Sequence, residues 1–429
     1  VMKRDNNAVM GVSWGLESQL WFAPEGTEPK DVVSFHRSND FEHVGNEVRA
    51  TRERVGVTEI ANFAKYEVQG TGAEDFLNRL MTNRMPKAGR IVLTPMLNEF
   101  GKLIGDFTIA KAGDDRFMVW GSSAAQKYHM RWFEQHLPKD RSVRIIRFDQ
   151  TLVGLSIAGP RSRDLLQKLV DTDVSNAAFK FMDYREMAVA GAPCMVNRIS
   201  YTGDLGYEIW LEPAYQRRVY EAIKREGEEF GIVDFGMRAL LSMRLEKNFP
   251  TWFRELRPIY GPFEGAMERF IKLEKNDFIG REAAAREQAN GPKLRRVSFV
   301  VDALDADVMG DEPVWAKING TDYGTVEASH GYGAVRFDAD GKDVKGSNAA
   351  TDASAVRGIK DGEWSVVGWI TSGGYAHHVQ KSMAQGYVPA ALAEDASAGL
   401  FEIEILGQRR AARIAVEPPF DPAGERMRG

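Results

Sequence analysis

Two carboxylates and a tyrosine occur in segments whose apolar pattern otherwise predicts buried strands. Asp106 falls inside the apolar run Leu103 to Phe107, and a buried acid is costly unless it is paired or used. Glu208 precedes Trp210 by two positions, so both share one face of an expected strand. The Glu208 carboxylate can accept hydrogen bonds from an N–H edge of a heterocycle while Tyr201 lies over the ring. The alternative uses are a solvent-facing strand residue and an ordinary hairpin pair.

A further segment, Asp234 to Lys247, predicts a helix with a cation near its start. Asp234 is placed to cap this helix. Arg238 projects from the first turn, where its guanidinium can hold a carboxylate through two parallel hydrogen bonds. A salt bridge on the helix surface, with Asp234 or another acid, is the alternative use of Arg238.

Composition and motifs exclude several classes of function. The net charge of -5 gives no reason to expect nucleic acid or an anionic membrane as a partner. The single cysteine, Cys194, excludes an internal disulfide and a cysteine metal cluster, and it fits a reducing, cytoplasmic location. Dinucleotide, phosphate-loop and metal-site spacings are missing, and no run of about 18 apolar residues predicts a membrane span. The adjacent His377 and His378 are interpreted as a surface pair.

The elements that position these residues include a repeated unit. Lys65 to Thr82 predicts a strand, a Gly-rich turn and a helix, and Val153 to Leu169 predicts the same unit again. Two copies favour two related α+β subdomains over a solenoid, which needs at least three repeats. Asn98 to Gly101 predicts a hairpin turn shortly before Asp106.

The C-terminal part of the chain differs in pattern from the rest. Beyond the linker Asn290 to Pro292, short strands alternate with Gly, Asp and Asn turns and predict a small all-β barrel. Residues 331–362, rich in Gly, Asp, Ala and Ser, are expected to form a surface insertion in this barrel. The domain prediction is therefore an N-terminal extension, two α+β subdomains and a barrel, with limits 1–46, 47–150, 151–290 and 291–429.

Five segments, in this order along the chain, together resemble the glycine-cleavage T-protein (aminomethyltransferase) superfamily: MLNEFGKLIGDFTI, RISYTGDLGYEIW, DFGMRALLSMRLEK, DFIGREA and TSGGYAHHVQKSMAQGYVP. Their order, and a likeness that extends from Val48 to Met427, are more specific than any one motif. Within the superfamily the chain most resembles the folate-binding C-terminal half of dimethylglycine and sarcosine dehydrogenases. The resemblance implies an α+β fold, a three-domain cloverleaf of two related α+β subdomains and a C-terminal all-β barrel, with folate in a central channel.

The resemblance also implies roles for individual residues. Asp106 matches the family's essential acid beside the reacting folate nitrogen, where it assists proton transfer or orients that nitrogen. Tyr201 and Glu208 match the pair that contacts the pterin. Arg238 matches the arginine near the benzoyl-glutamate end of the folate.

Two more residues complete the predicted cofactor-binding set, and no metal is expected. Met96 opens the first matching segment, and Trp252 opens the stretch that precedes the family's next motif. With Trp120 and Trp210, Trp252 can form an aromatic cage for a cationic substrate. Core packing is the alternative use of each tryptophan.

The implied activity is tetrahydrofolate-dependent one-carbon transfer, as an aminomethyltransferase or demethylase. A small methylated substrate, an N-methylated amine such as dimethylglycine or sarcosine, is the expected donor of a methylene or methyl group. The sequence contains no flavin motif, so a flavin-binding dehydrogenase domain or subunit is the expected partner for the oxidation. Two alternatives stay open: a dimethylsulfoniopropionate-type S-demethylase that forms methyl-tetrahydrofolate, and a non-catalytic folate-binding or assembly protein. Trp252 to Pro258 departs from the family's acidic stretch, which leaves the donor undecided.

Overall fold

The computed structural model describes residues 6–13, 15–318, 364–394 and 399–429 of the 429-residue chain. The insertion predicted at 331–362 lies outside the described residues. In the described part of the chain, no helix is long and apolar enough to cross a membrane.

The N-terminal segment contributes a two-stranded hairpin, a helix and a short strand. These elements are β1 (Ala8–Ser13), β2 (Leu16–Phe22), α1 (Phe41–Glu53) and β3 (Gly56–Glu59). Strands β1 and β2 pair with each other in antiparallel fashion, whereas β3 joins a different sheet.

The first α+β unit is a five-stranded antiparallel sheet in the order β5-β6-β7-β4-β8. Its elements are β4 (Ala64–Gln69), α2 (Ala73–Leu80), β5 (Ile91–Leu97), β6 (Leu103–Gly113), β7 (Arg116–Gly121), α3 (Gln126–Gln135) and β8 (Arg144–Arg147). The hairpin turn between β5 and β6 is the predicted one, because Asn98 accepts hydrogen bonds from the following backbone and Gly101 has a φ of +73°.

The second unit is a six-stranded sheet in the order β10-β11-β12-β9-β3-β13. Its other elements are β9 (Val153–Ala158), α4 (Ser162–Leu169), β10 (Tyr184–Val189), β11 (Ala192–Asn197), β12 (Gly206–Leu211), α5 (Pro213–Gly227) and β13 (Val233–Asp234). The next helix, α6 (Met237–Leu245), packs against the N-terminal hairpin and α1, and α7 (Arg281–Asn290) contributes Ala284 to the core of the first unit. Only the pair β13 and β3 is parallel among the described pairs of this sheet.

The predicted repeat of strand, Gly turn and helix is confirmed in both units. Gly70 begins the turn after β4, Gly159 begins the turn after β9, and both have a φ of +119°. A Cβ at either position would come within 2.2 Å of a backbone oxygen, that of Ser142 or that of Thr51. Because L-residues rarely adopt this conformation and no room exists for a side chain, only glycine fits.

The two sheets face each other across a shared apolar layer. Trp120 of β7 and Trp210 of β12 meet with their ring centroids 5.8 Å apart. Ile91 and Ala110 of the first sheet are buried in the same cluster. This layer fixes the distance between the two units, and any polar residues at its border are held close to both sheets.

Strand β3 crosses the predicted domain limits. Although residues 56–59 precede the first repeat, they pair with β9 and β13 in the second sheet. The limits 47–150 and 151–290 stay a prediction, but the second sheet depends on a strand from the first of these ranges.

Two local predictions are wrong. The helix after β13 begins at Met237 rather than at Asp234, and Asp234 does not cap it, since its carboxylate binds Lys224 at 2.8 Å. Instead, Glu47 accepts a hydrogen bond of 2.8 Å from the Gly236 backbone N–H. His377 is buried rather than part of a surface pair, because it packs against Phe41 with ring centroids 4.8 Å apart.

The C-terminal domain is a closed six-stranded barrel in the order β14-β17-β16-β15-β18-β19. Its elements are β14 (Leu294–Val301), β15 (Pro313–Ile318), β16 (Trp364–Ala376), β17 (Lys381–Pro389), α8 (Ala390–Glu394), β18 (Gly399–Ile405), β19 (Gln408–Ile414) and α9 (Glu425–Arg428). Alternate residues such as Val297, Phe299 and Val301 fill its interior. The barrel predicted from the sequence is therefore confirmed.

A buried ion cluster joins the N-terminal helix, the second unit and the C-terminal segment. Arg52 of α1 is 1% exposed and binds Glu246 at 2.7 Å and Asp204 at 3.5 Å. Its guanidinium lies 3.7 Å from the ring centroid of Phe420. Because removal of one buried partner leaves charges without compensation, this cluster is a point of structural vulnerability.

We expect Arg52→Met to lower the free energy of unfolding by about 3–5 kcal/mol, since two buried carboxylates lose their shared cation. The measurement is urea unfolding at neutral pH, with Arg161→Met as the control. Arg161 pairs with Asp164 at 3.1 Å, but both side chains are about half exposed, so this change should cost less than about 1 kcal/mol. Equal losses in the two variants would contradict a structural role for the buried cluster.

Candidate functional site

Asp106 lies on the face of the first sheet that looks toward the second sheet. Along β6 it alternates with Phe107, and Ala110 on its own face is part of the layer between the sheets. Apart from its own backbone N–H, no described residue hydrogen-bonds its half-buried carboxylate. Burial raises the pKa of Asp106 to about 6. The group can therefore hold or release a proton near neutral pH, as a general acid or base requires.

A row of polar side chains crosses the facing surface of the second sheet. Thr58, Ser156, Glu208 and Asn197 occupy directly opposite positions on four adjacent strands, so all four share one face. Glu208 is two residues from Trp210, which contacts the first sheet. The row therefore looks into the same space as Asp106.

Glu208 and Asn197 form the polar centre of this row. The Asn197 amide N–H donates to Glu208 at 3.4 Å, while its carbonyl oxygen Oδ1 is buried without a partner in the described part of the chain. Burial raises the pKa of Glu208 to about 7, against the opposing effect of the Asn197 amide. Both side chains thus keep acceptor capacity that a ligand with N–H groups would satisfy.

Tyr201 lies on the loop between β11 and β12, close in sequence to the strand that carries Glu208. Its hydroxyl donates to the Pro250 carbonyl at 2.6 Å and lies 3.1 Å from the Thr251 hydroxyl. Burial raises the pKa of Tyr201 to about 12, and the nearby Asp106 carboxylate adds to that rise. Asp106 and Tyr201 are thus coupled electrostatically, and the Tyr201 loop leads directly into β12, which carries Glu208.

Glu255 ties this end of the site to the barrel. It is fully buried and accepts hydrogen bonds from the Thr251 backbone N–H at 2.8 Å and from the Thr371 hydroxyl of β16 at 2.8 Å. Burial would raise the pKa of Glu255, but the Arg244 guanidinium and the hydroxyls of Ser372 and Thr371 together hold it below its ordinary value. Since Thr251 also contacts Tyr201, the barrel helps to fix the position of that tyrosine.

Arg238 binds the N-terminal segment. Its guanidinium donates two parallel hydrogen bonds to Asp31, at 2.7 and 2.8 Å, and lies 2.9 Å from Asp40. The salt-bridge alternative considered from the sequence is therefore the observed one, with acids other than Asp234. A ligand carboxylate would have to compete with Asp31 for the two N–H donors of the Arg238 guanidinium.

Met96 and Trp252 do not lie with Asp106 and Glu208. Met96 is opposite Gly105 in the β5–β6 register, so its buried side chain points into the core on the other face of the first sheet. Trp252 belongs to the same core and contacts His129 with ring centroids 5.6 Å apart. An aromatic cage formed with Trp120 and Trp210 is excluded as well, because those two pack together between the sheets.

The comparisons with known proteins agree with this architecture. The family described as "GCVT N-terminal domain" matches residues 2–275, and the family described as "Glycine cleavage T-protein C-terminal barrel domain" matches residues 343–421. Aminomethyltransferase of Thermoanaerobacter sp. (strain X514) is 30% identical over 262 residues, which cover 60% of this chain and 70% of that protein. The chain belongs to the glycine cleavage T-protein family.

This member of the T-protein family is also similar to a longer protein. Mitochondrial dimethylglycine dehydrogenase of Mus musculus is 32% identical over 422 residues, which cover 97% of this chain but only 43% of that relative. The chain thus spans less than half the length of that relative. The crystal structure of aminomethyltransferase T of the Bartonella henselae glycine cleavage system matches with a TM-score of 0.74 and 19% identity, over 98% of this chain and 96% of that chain. That match confirms the fold of the T-protein family.

Sequence reasoning named Asp106, Tyr201 and Glu208. Asp106 and Glu208 lie on the facing surfaces of the two sheets, and Tyr201 lies on the loop that leads into β12. It missed Asn197 and Ser156, which lie beside Glu208 on the neighbouring strands. Asn197 directly precedes the RISYTGDLGYEIW segment, and a polar residue at the end of an apolar strand was the available signal. Nothing local marks Ser156, because its neighbour across the sheet comes from a distant part of the T-protein chain.

The pKa of Asp106 predicts a stability difference that depends on pH. The folded-state pKa of about 6 lies above the ordinary value, so stabilisation from the neutral carboxyl is complete below pH 4 and is lost as the pH rises through 6. Asp106→Asn cannot ionise, and we expect it to exceed the wild-type free energy of unfolding by about 1–3 kcal/mol at pH 8. The measurement is urea unfolding at pH 4 and at pH 8. A difference that does not grow between these two pH values would contradict an unpaired carboxylate.

Proposed function

We propose that this chain transfers a one-carbon unit from a small N-methylated amine to tetrahydrofolate, with Asp106 as the acid–base group. The observation that carries the proposal is the Asp106 carboxylate, which no other described side chain pairs and whose pKa of about 6 is raised by burial. Folded proteins seldom keep such a group unless it is used. Membership of the aminomethyltransferase family supplies the reaction class.

The polar row is proposed to hold the pterin ring. A reduced pterin presents several N–H groups along one edge, and Glu208 together with the unpartnered Asn197 Oδ1 offers matching acceptors. A charged acceptor binds such an edge more strongly than a neutral one. Tyr201, held by Pro250 and Thr251, is proposed to lie over the ring.

The residues around the site are proposed to do three things. The Trp120–Trp210 layer excludes water from one end of the intersheet space, which strengthens electrostatic interactions there. The two sheets hold both reactants in one orientation, a gain that can reach about 7–11 kcal/mol in ideal cases. Asp106 takes or returns the proton that moves during carbon transfer. Tetrahydrofolate supplies the nucleophilic nitrogen.

An amine is the preferred donor class, with oxidation carried out elsewhere. The similarity to dimethylglycine dehydrogenase extends over 97% of this chain, which favours an N-methyl amine over a sulfonium. The matched region is only 43% of that relative, so we propose that a flavin-binding dehydrogenase domain or subunit oxidises the amine and delivers the product to this chain.

Two substitutions should separate binding from chemistry. Asp106→Asn should keep tetrahydrofolate affinity within about threefold while turnover falls about 10²–10⁴-fold, because the proton carrier is lost. Glu208→Gln should weaken tetrahydrofolate binding about 10–100-fold, because a charged acceptor becomes neutral. Binding is measured by calorimetry and turnover by methylene-tetrahydrofolate formation.

Glu221→Gln is the matched control, since Glu221 is a half-exposed carboxylate on helix α5, where it pairs with Arg217 at 2.7 Å. It should leave both binding and turnover unchanged. Wild-type turnover in Asp106→Asn would remove Asp106 from the reaction. Absence of tetrahydrofolate binding to the wild-type chain at millimolar ligand would overturn the proposed function as a whole.

The donor is tested without a flavin partner. Sarcosine mixed with formaldehyde supplies the iminium ion that amine oxidation would otherwise produce. We expect the chain to accelerate methylene-tetrahydrofolate formation above the uncatalysed rate only when the amine is present. Methyl-tetrahydrofolate formed from dimethylsulfoniopropionate, with no acceleration from the sarcosine mixture, would replace the amine by a sulfonium donor.

A further inference from the structure

His129 is a fully buried histidine that the proposed reaction does not use. It lies on α3, where His129 and Phe133 are the two buried residues. Its Nε2 is 3.0 Å from the Ile104 carbonyl oxygen, so this nitrogen carries the proton and donates. Its Nδ1 is buried and has no hydrogen-bond partner in the described part of the chain. The ring is thereby fixed in the neutral tautomer that carries its proton on Nε2, and Nδ1 is left as an unpaired acceptor.

The carbonyl that His129 binds lies at an irregularity in β6. In the β5–β6 register Gly105 is opposite Met96 and Leu103 is opposite Leu97, so Ile104 has no opposite residue on β5. The β6–β7 register begins only at Thr108. A bulge of this kind leaves backbone groups unpaired and redirects the neighbouring side chains. Here the bulge falls two residues before Asp106, and the His129 imidazole takes up the carbonyl.

The imidazole also packs against both residues that flank Asp106. A Cβ built on Gly105 would come within 2.9 Å of His129 Nε2, so only glycine allows this approach. The Phe107 ring centroid is 4.7 Å from that of His129. Since Gly105 and Phe107 lie on the opposite face from Asp106, His129 holds the strand from behind while the carboxylate projects into the intersheet space.

A purely structural role explains this arrangement poorly. A phenylalanine or leucine would fill the same space without leaving a buried ring nitrogen unpaired, which is energetically unfavourable. An imidazole is needed only if the hydrogen bond to Ile104 matters. That bond acts on the strand segment whose one polar side chain is Asp106.

We propose that His129 is a positioning residue for Asp106: its Nε2–H bond to the Ile104 carbonyl sets the bulge that aims the Asp106 carboxylate between the sheets. The inference deepens the proposed function, on which its kinetic test rests. Burial lowers the pKa of His129 to about 4, so the ring stays neutral over the range in which Asp106 changes charge. His129 therefore acts through geometry and takes no proton from the reaction.

The test compares two substitutions that differ in one hydrogen bond. His129→Gln can place an amide N–H where Nε2–H lies, whereas His129→Phe keeps a flat ring and has no donor. Tyr128→Phe is the control, because Tyr128 is the neighbouring residue on α3 and is 43% exposed. The first readout is the pKa of the Asp106 carboxyl, followed by carbon-13 NMR of aspartate-labelled protein and assigned with Asp106→Asn. It requires no substrate.

We expect the Asp106 pKa to stay near its wild-type value in His129→Gln and Tyr128→Phe. In His129→Phe it should fall by about one unit toward the ordinary value, because the carboxylate is no longer held in its half-buried position. Turnover should fall about 10–100-fold in His129→Phe, recover to within about threefold of wild type in His129→Gln, and change little in Tyr128→Phe. Tetrahydrofolate affinity should stay within about threefold in all three variants.

Two results would overturn the inference. One is a folded His129→Phe variant with the wild-type Asp106 pKa. The other is an equal shift in His129→Phe and His129→Gln, which would make the imidazole itself, rather than its donor, the important feature. If the wild-type chain neither binds tetrahydrofolate nor turns over, the proposed function fails. The NMR comparison still decides the role of His129 in that case.

Discussion

The packing of two sheets face to face sets the conditions for everything else in this molecule. Trp120, Trp210 and the apolar side chains packed with them form this contact, which tolerates polar groups only where a partner or a use exists. At one border of the layer the apolar side chains give way to Asp106, Glu208 and the row around Asn197. The site is the part of the intersheet contact that the hydrophobic effect does not fill, and its raised pKa values follow from that position.

The remaining acids of this region differ from those of the site in how completely they are paired. Glu255 has a guanidinium, two hydroxyls and a backbone N–H around it, and Arg52 supplies Glu246 and Asp204 with a cation. These groups join the barrel and the N-terminal helix to the two units. Asp106 and Glu208, by contrast, keep unused acceptor capacity. Well-paired charges thus stabilise the framework, and under the proposed function the acids that keep free acceptor capacity are the ones that bind the ligand.

Much of the fold could be predicted because its signals are local. The two strand–turn–helix units are readable from apolar spacing and from glycines that no other residue can replace, and an acid inside an apolar strand draws attention to Asp106. The limits of prediction lie in pairing. The face on which Met96 lies depends on register with β6, and the bulge at Ile104 is invisible along the sequence. The partner of Arg238 is Asp31, which is distant in the chain. The local sequence could therefore predict a salt bridge at Arg238 but not which acid forms it.

Strand β3 has a consequence for how the chain is made. Its partners β9 and β13 lie downstream of the whole first sheet, so during synthesis β3 emerges on the order of ten seconds before β9 can pair with it. In that interval the first sheet can close while β3 remains an open strand edge, which is a template for wrong pairing. The two α+β units therefore cannot fold independently, one after the other, as the chain is synthesised. The second sheet is complete only when β9 and β13 pair with β3, which precedes the first sheet in the chain. The space between the two sheets is formed in that last step.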